Sequence, residues 1–194
     1  MICILLFIVP MCNPFFSVKY NMRFSQGGYR LGKMDDLSSY RRRSKGWEHD
    51  GPAYIHPRIL FGSGGALTKD FVKKHNITHV INCAYDEDSP KWFREMYPKR
   101  YLSLEAVDNI EANILSWYPR FEACMQKFLA ESDSETIYIH CQCGINRSGF
   151  LALMFACKKL RYDYNEVVKS ILTQRPCALT NPAYRKQVQQ ASTT

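Results

Sequence analysis

The sequence predicts an α/β fold, a central and mostly parallel twisted sheet flanked by helices, and three observations carry that reading. Short runs rich in β-branched residues, Ile59–Phe61, Thr78–Cys83 and Thr136–Ile139, alternate with longer segments of helical period. Strands separated by helices pair in parallel and bury both faces of their sheet. Hydrophobic residues make up 46% of the 194-residue chain, enough for one real core and too many for a disordered one.

Residues 1–51 read as an N-terminal leader and basic arm, and residues 52–194 as one compact domain. Met1 to Val9 is apolar but too short to span a bilayer, is broken by Pro10 and Pro14, and lacks the basic residues that precede a signal core. A loose leader, or a start upstream of the true one at Met22, is favoured over a targeting signal, and no stable membrane insertion is expected. The arm carries Arg41-Arg42-Arg43-Ser44-Lys45, read as a solvated basic segment without the heptads of a dimerising coil.

Within the domain, Ile59–Gly62 is a strand closed by the turn Ser63-Gly64-Gly65, which lacks the Lys-Ser/Thr of a nucleotide-binding loop. Thr68 caps a helix running to Lys74. Thr78–Cys83 is a buried strand, and Tyr101–Val107 a further one entering an acidic turn at Asp108. Ser116 is expected to cap the next helix, with Pro119 in its first turn. Trp117, Phe121, Cys124, Met125, Phe128 and Leu129 share one apolar face of that helix. The strand Thr136–Ile139 leads to a loop at 141–147, a strongly apolar helix from Ser148 to about Leu160, and helices near 163–174 and 182–190.

The net charge of 26 − 18 = +8 favours anionic partners. Eight cysteines, about 4% of the chain, are sparser than in disulfide-stapled secreted domains, and several sit in apolar stretches as small hydrophobes. The reading is of reduced thiols, with the protein in the cytoplasm or the nucleus. His75, His79, Cys83, His140, Cys141 and Cys143 show no paired metal-ligand spacing, so no metal or other cofactor is expected, and His75 and His79 read as surface residues at a helix end.

The segment that carries chemistry is His140-Cys141-Gln142-Cys143-Gly144-Ile145-Asn146-Arg147-Ser148-Gly149. A buried strand ends at its start and a helix begins at its close. The turn between them therefore aims backbone N–H groups and the positive helix end into one concavity, suited to a tetrahedral dianion. Gly144 permits the turn. Arg147 can fold back to grip two phosphate oxygens, and Cys141 at the base sits where N–H dipoles and a guanidinium favour the thiolate. Ser148 can hydrogen-bond the same sulfur. The stretch Gln142, Cys143, Gly144, Ile145, Asn146 and Arg147 is thus the substrate-binding loop, with Asn146 expected to bond loop backbone and His140 to support the loop.

These residues resemble the HCxxGxxRS signature of the cysteine-dependent protein phosphatases, in particular a compact, atypical dual-specificity member. The resemblance runs from Ala53 to Gln190 and includes Val80-Ile81-Asn82-Cys83-Ala84 and Asn181-Pro182. It implies a protein-tyrosine-phosphatase-like sheet and hydrolysis of phosphotyrosine and phosphoserine/threonine proteins through a cysteinyl phosphate. It also implies a general acid about thirty residues before the nucleophile. Asp108, 33 positions upstream, is the one aspartate between Pro90 and Ser132, with Glu105 and Glu111 its nearest rivals.

By the same resemblance, Arg175 stands where some relatives place a cation at the cleft mouth for a second acidic group, though a helix-end cation reads equally well. Cys83 stands where some relatives carry a thiol that forms a protective disulfide with the nucleophile, and Cys143 is a weaker candidate. The runner-up activity is an RNA 5′-triphosphatase using the same loop. Against it, those enzymes carry His and Thr where Cys143 and Ser148 stand. A phosphoinositide phosphatase would place lysines where Gln142, Ile145 and Asn146 are uncharged. A non-catalytic phosphoprotein-binding module is disfavoured by the intact Cys141, Arg147 and Asp108.

Overall fold

Five strands form one sheet in the computed structural model, which describes residues 51–192 apart from Ser132. The leader and nearly all of the basic arm lie outside the described residues. In chain order the elements are β1 (Ala53–His56), β2 (Ile59–Ser63), α1 (Lys69–Lys74), β3 (His79–Asn82), α2 (Lys91–Met96), β4 (Tyr101–Ser103), α3 (Tyr118–Glu131), β5 (Ile137–Cys141), α4 (Arg147–Lys158), α5 (Tyr164–Gln174) and α6 (Pro182–Ser192). The strands lie in the order β1-β2-β5-β3-β4. Only β1 runs antiparallel, and the other pairings are parallel.

That order puts β5 at the centre, with Ser63↔Cys141 and Asn82↔His140 in register at its carboxyl end. Side chains alternate across the pleat. Ile59, Phe61, Ile81, Ile137 and Ile139 face the larger core beneath α3 to α6. Leu60, Val80 and Tyr138 face a smaller one closed by Phe71, Val72, Trp92 and Phe93 of α1 and α2. α4 is buried along nearly its whole length, which explains why its sequence is apolar on every side. The carboxyl ends of parallel strands are where ligands bind in such sheets.

Several boundaries differ from the sequence reading, each for a local reason. The strand expected to reach Val107 stops at Ser103. Leu104, Glu105 and Ala106 donate their N–H groups to the carbonyls of Asn82, Ala84 and Cys83, so the chain folds over the end of β3. Glu105 takes a positive φ of 56° to do so. Ser116 lies inside a short 3₁₀ turn, Ile114–Ser116, and the cap there is Asn113, whose side chain accepts from Leu115 N. Thr68 caps α1 as expected, accepting from Phe71 N at 3.1 Å. β1 and α2 are too short to show a period in the sequence and were not foreseen.

His79 is not a surface residue. It opens β3, is fully buried against Phe128, and lies 3.0 Å from Glu131 and 3.4 Å from Glu135 through its two ring nitrogens.

Phe121 is the centre of the larger core, fully buried and edge-on to Phe155 at 6.3 Å. Phe121→Ala is expected to cost about 3–5 kcal/mol of folding free energy, read as a lower urea midpoint at unchanged slope.

Candidate active site

The loop after β5 is shaped by what holds its carbonyls. Gly64 N donates to the Gln142 carbonyl at 3.2 Å, and Leu179 N donates to that of Ile145 at 2.8 Å. Between them, Arg175 donates from its terminal guanidinium nitrogen to the Cys143 carbonyl at 2.8 Å and from Nε to the Gly144 carbonyl at 2.7 Å. Four consecutive carbonyls are thus drawn outward. In a trans peptide the N–H of the next residue points the opposite way, so the N–H groups of residues 143 to 146 turn inward. The first helical N–H groups of α4 add to them. Together they make an amide-lined bowl, with Cys141 at the end of the strand that enters it.

Gly144 is required for this turn. Its φ is +65°, and a Cβ there would fall 2.1 Å from the Gly62 carbonyl carbon. Gly64 is required on the outside, where a Cβ would meet the Asp88 carbonyl oxygen at 2.1 Å. Of the predicted turn, Gly64 therefore packs the back of the bowl, while Gly65 faces open space.

Each sequence-predicted residue can now be placed. Cys141 is buried, and Ser148 Oγ lies 3.3 Å from its sulfur. Arg147 is also buried and donates from one terminal nitrogen to the Ala106 carbonyl at 3.1 Å. Its Nε makes no hydrogen bond and lies 3.8 Å from Asp108 Oδ2. Gln142 is exposed at the rim, while Cys143 and Ile145 are half-buried. Burial and the neighbouring Cys141 sulfur push the Cys143 thiol up, leaving it a neutral lining group.

Asp108 reaches the bowl because the chain folds over the end of β3. The carboxylate is fenced by two amides: Asn146 Nδ2 lies 3.4 Å from Oδ2, and Asn181 Nδ2 lies 3.4 Å from Oδ1. The Asn146 side chain bonds backbone ahead of α6, its Oδ1 accepting from the N–H groups of Thr180 and Asn181. Asn181 was read from the sequence only as part of a helix start. It does cap α6, accepting from Ala183 N and Tyr184 N, and it also donates to the Asn109 carbonyl. Tyr184 donates to the Val107 carbonyl, so α6 anchors the segment that carries Asp108. An Asn preceding Pro in the sequence shows the cap, but nothing there shows the second partner.

Arg175 requires a correction. It does not stand at the cleft mouth: it is 1% exposed and is spent on the carbonyls of Cys143, Gly144 and Gly51. A guanidinium with five donors suits this task because it can hold several backbone oxygens at once. Cys83 is buried at the end of β3, where its N–H donates to the His140 carbonyl. Burial pushes its thiol well above the ordinary range, and the Cys141 sulfur pushes it further. Both thiols are free. No group of His, Cys, Asp and Glu able to hold a metal occurs among the described residues.

His140 supports the loop from below. Burial drives it down to about 4, opposed by a hydrogen bond to the Cys141 backbone and assisted by the charge of Arg147. The neutral ring satisfies both neighbours by donating from Nδ1 to the Cys141 carbonyl, 3.3 Å away, and accepting at Nε2 from Ser89 Oγ, 2.6 Å away.

Residues 59–194 match the family described as dual specificity phosphatase, catalytic domain. Mouse dual specificity protein phosphatase 19 is 26% identical over 136 residues, covering 69% of this chain and 59% of that protein. Human dual specificity protein phosphatase 1 is 28% identical over 145 residues, covering 74% of this chain and 38% of that protein. The chain thus spans well under two thirds of these relatives. Among solved structures, the human tyrosine phosphatase-like serine/threonine/tyrosine-interacting protein aligns with a TM-score of 0.62 at 22% identity, covering 73% of this chain and 95% of that one. The structure of DUSP15 aligns at 0.61 and 19%, covering 74% and 88%. At these identities the structural likeness concerns the fold.

Two outcomes test this geometry. An unfolded-state histidine titrates near 6.5, so between pH 6.5 and 4 the unfolded chain binds a proton that folded His140 refuses. Its contribution to stability is complete above that window and is lost as pH falls through it. Urea unfolding at pH 7 and pH 5 should show a loss on the order of 2 kcal/mol that is absent in His140→Asn. Arg175→Lys keeps the charge but not the fork, so it should lower inorganic phosphate affinity about tenfold or more, measured by calorimetry.

Proposed function

This chain belongs to the dual-specificity phosphatase family, and on that premise we propose that it hydrolyses phosphate monoesters on phosphotyrosine and phosphoserine/threonine proteins through a cysteinyl phosphate. One observation carries the reading: four outward carbonyls leave the N–H groups of residues 143 to 146 facing the Cys141 sulfur side, with buried Arg147 beside them. Such a bowl neutralises three phosphoryl oxygens while leaving the phosphorus open to attack from below.

The steps follow from the positions. The Cys141 thiolate attacks phosphorus in line, forming an S–P bond as the ester P–O bond breaks. Arg147 has an uncommitted Nε and can pair with phosphoryl oxygens as their charge reorganises. Asp108 at the rim donates its proton to the departing oxygen. In the second step it takes a proton from water as the water attacks phosphorus, and the thiolate leaves. Ser148, 3.3 Å from the sulfur, stabilises that departing anion. The substrates in this reading are phosphorylated proteins. No helix among the described residues is long and apolar enough to cross a membrane.

Cys141→Ser should abolish turnover of phosphopeptides. Asp108→Asn should lower it about 100-fold or more, but much less for a small aryl phosphate, whose acidic phenol leaves without a proton. Wild-type turnover in purified Cys141→Ser protein would overturn the mechanism. Release of γ-phosphate from triphosphate-ended RNA faster than from phosphopeptides would make the chain an RNA triphosphatase. An intact bowl that hydrolyses neither would make it a binding module.

A further inference from the structure

A second concave surface lies away from the bowl, on the flank of β4. It is a groove of about 630 Å³ between the segment Pro98–Leu102 and one face of α3. Leu102, Cys124 and Phe128 line its floor. Lys99 and Arg100 stand on one wall, and Arg120 and Lys127 on the other. The helix wall is a single stripe, since Arg120, Cys124, Lys127 and Glu131 follow at intervals of four, three and four residues.

The charge of the groove is unbalanced. None of the four cations joins an ion pair among the described residues. The one acidic residue lining it, Glu131, is turned to His79 at 3.0 Å. Burial, the largest influence, raises the Cys124 thiol to about 12 despite the nearby Lys127 and Arg120 charges, so the floor is neutral.

The sheet adds a further element. β4 is an outer strand paired only with β3 among the described residues, so its other edge presents backbone donors and acceptors. We propose that this flank is a docking groove for an extended acidic peptide segment of a partner protein. An apolar side chain seats on Leu102, Cys124 and Phe128, and carboxylates flanking it meet the cations of the two walls.

The dimensions agree. Arg120 and Lys127 are seven residues apart on a helix, about 10 Å along its axis. Carboxylates four residues apart on an extended chain share one face with the residue between them and span about 13 Å, a difference that the long arginine and lysine side chains take up. Backbone pairing with β4 favours a peptide over a nucleic acid, which has no peptide backbone to add as a strand. The basic run of the protein's own N-terminal arm would be repelled. β4 lies two strands from β5, about 10 Å across the sheet, so the groove and the bowl are separate surfaces.

The test uses the full chain and a fluorescein-labelled ten-residue peptide with glutamates four residues apart around a central leucine, read by anisotropy. Wild-type protein should bind it, and the double variant Arg120→Glu with Lys127→Glu should bind about tenfold or more weakly. The milder pair Arg100→Ala with Lys127→Ala should weaken binding in the same direction. Both variants should hydrolyse a small aryl phosphate as wild type does. Unchanged peptide affinity in the folded variants overturns the proposal. So does displacement of the peptide by inorganic phosphate, which would place it in the bowl. Tighter variant-sensitive binding of a single-stranded RNA or of phosphoinositide vesicles also overturns it, reassigning the groove to a different polyanion.

Discussion

The site depends on the outward pull on four consecutive carbonyls. A loop of peptide N–H groups facing one point is unfavourable by itself, because aligned dipoles repel and their carbonyls need partners. Here the partners are Gly64 N, Leu179 N and, twice, buried Arg175. The positive charge of Arg175 behind the loop adds to the field that the N–H groups and Arg147 create in front of it. The same residue ties the loop to the Gly51 carbonyl at the start of the domain. One buried cation therefore couples the backbone just before β1, the end of α5 and the turn after β5.

Asp108 is positioned by a different device. β4 ends early because the next three residues give their N–H groups to β3 and the turn after it, and Glu105 adopts a left-handed conformation. The chain then passes in front of β5 and delivers Asp108, while Tyr184 and Asn181 of the α6 entry hold that segment. Asn146 joins the two halves of the site, since it is one residue from Arg147 and touches both Asp108 and the α6 cap. A carboxylate between two amides and 3.8 Å from a guanidinium is oriented without being locked into a bidentate ion pair.

Net positive charge is distributed with a purpose the total alone does not disclose. In the bowl it is concentrated on Arg147, on Arg175 behind the loop and on a set of backbone dipoles, in a buried setting where electrostatic interactions are strong. On the flank of β4 it is spread over four exposed side chains above an apolar floor, a setting of long reach and weak individual contacts. The first arrangement suits a single dianion, and the second suits an extended partner with separated charges.

Local chemistry determined much of this in advance. The apolar strand before Cys141, the glycine at 144, the arginine at 147 and the apolar helix after Ser148 each state a backbone or side-chain requirement within a few residues. The bowl could therefore be read before any coordinates. The same holds for the Thr68 cap and the three inner strands. What the linear chain could not state is where distant groups meet. Arg175 read as a helix-end cation or a cleft-mouth residue because its three carbonyl partners lie at positions 51, 143 and 144. His79 read as exposed because its burial comes from Phe128 and two glutamates about fifty residues on. Asn181 showed its cap and not its hold on Asp108. Periodicity and turn signals report forces within a segment. Which buried polar group satisfies which backbone atom is settled only when segments pack, since desolvation there demands a partner whatever its distance along the chain.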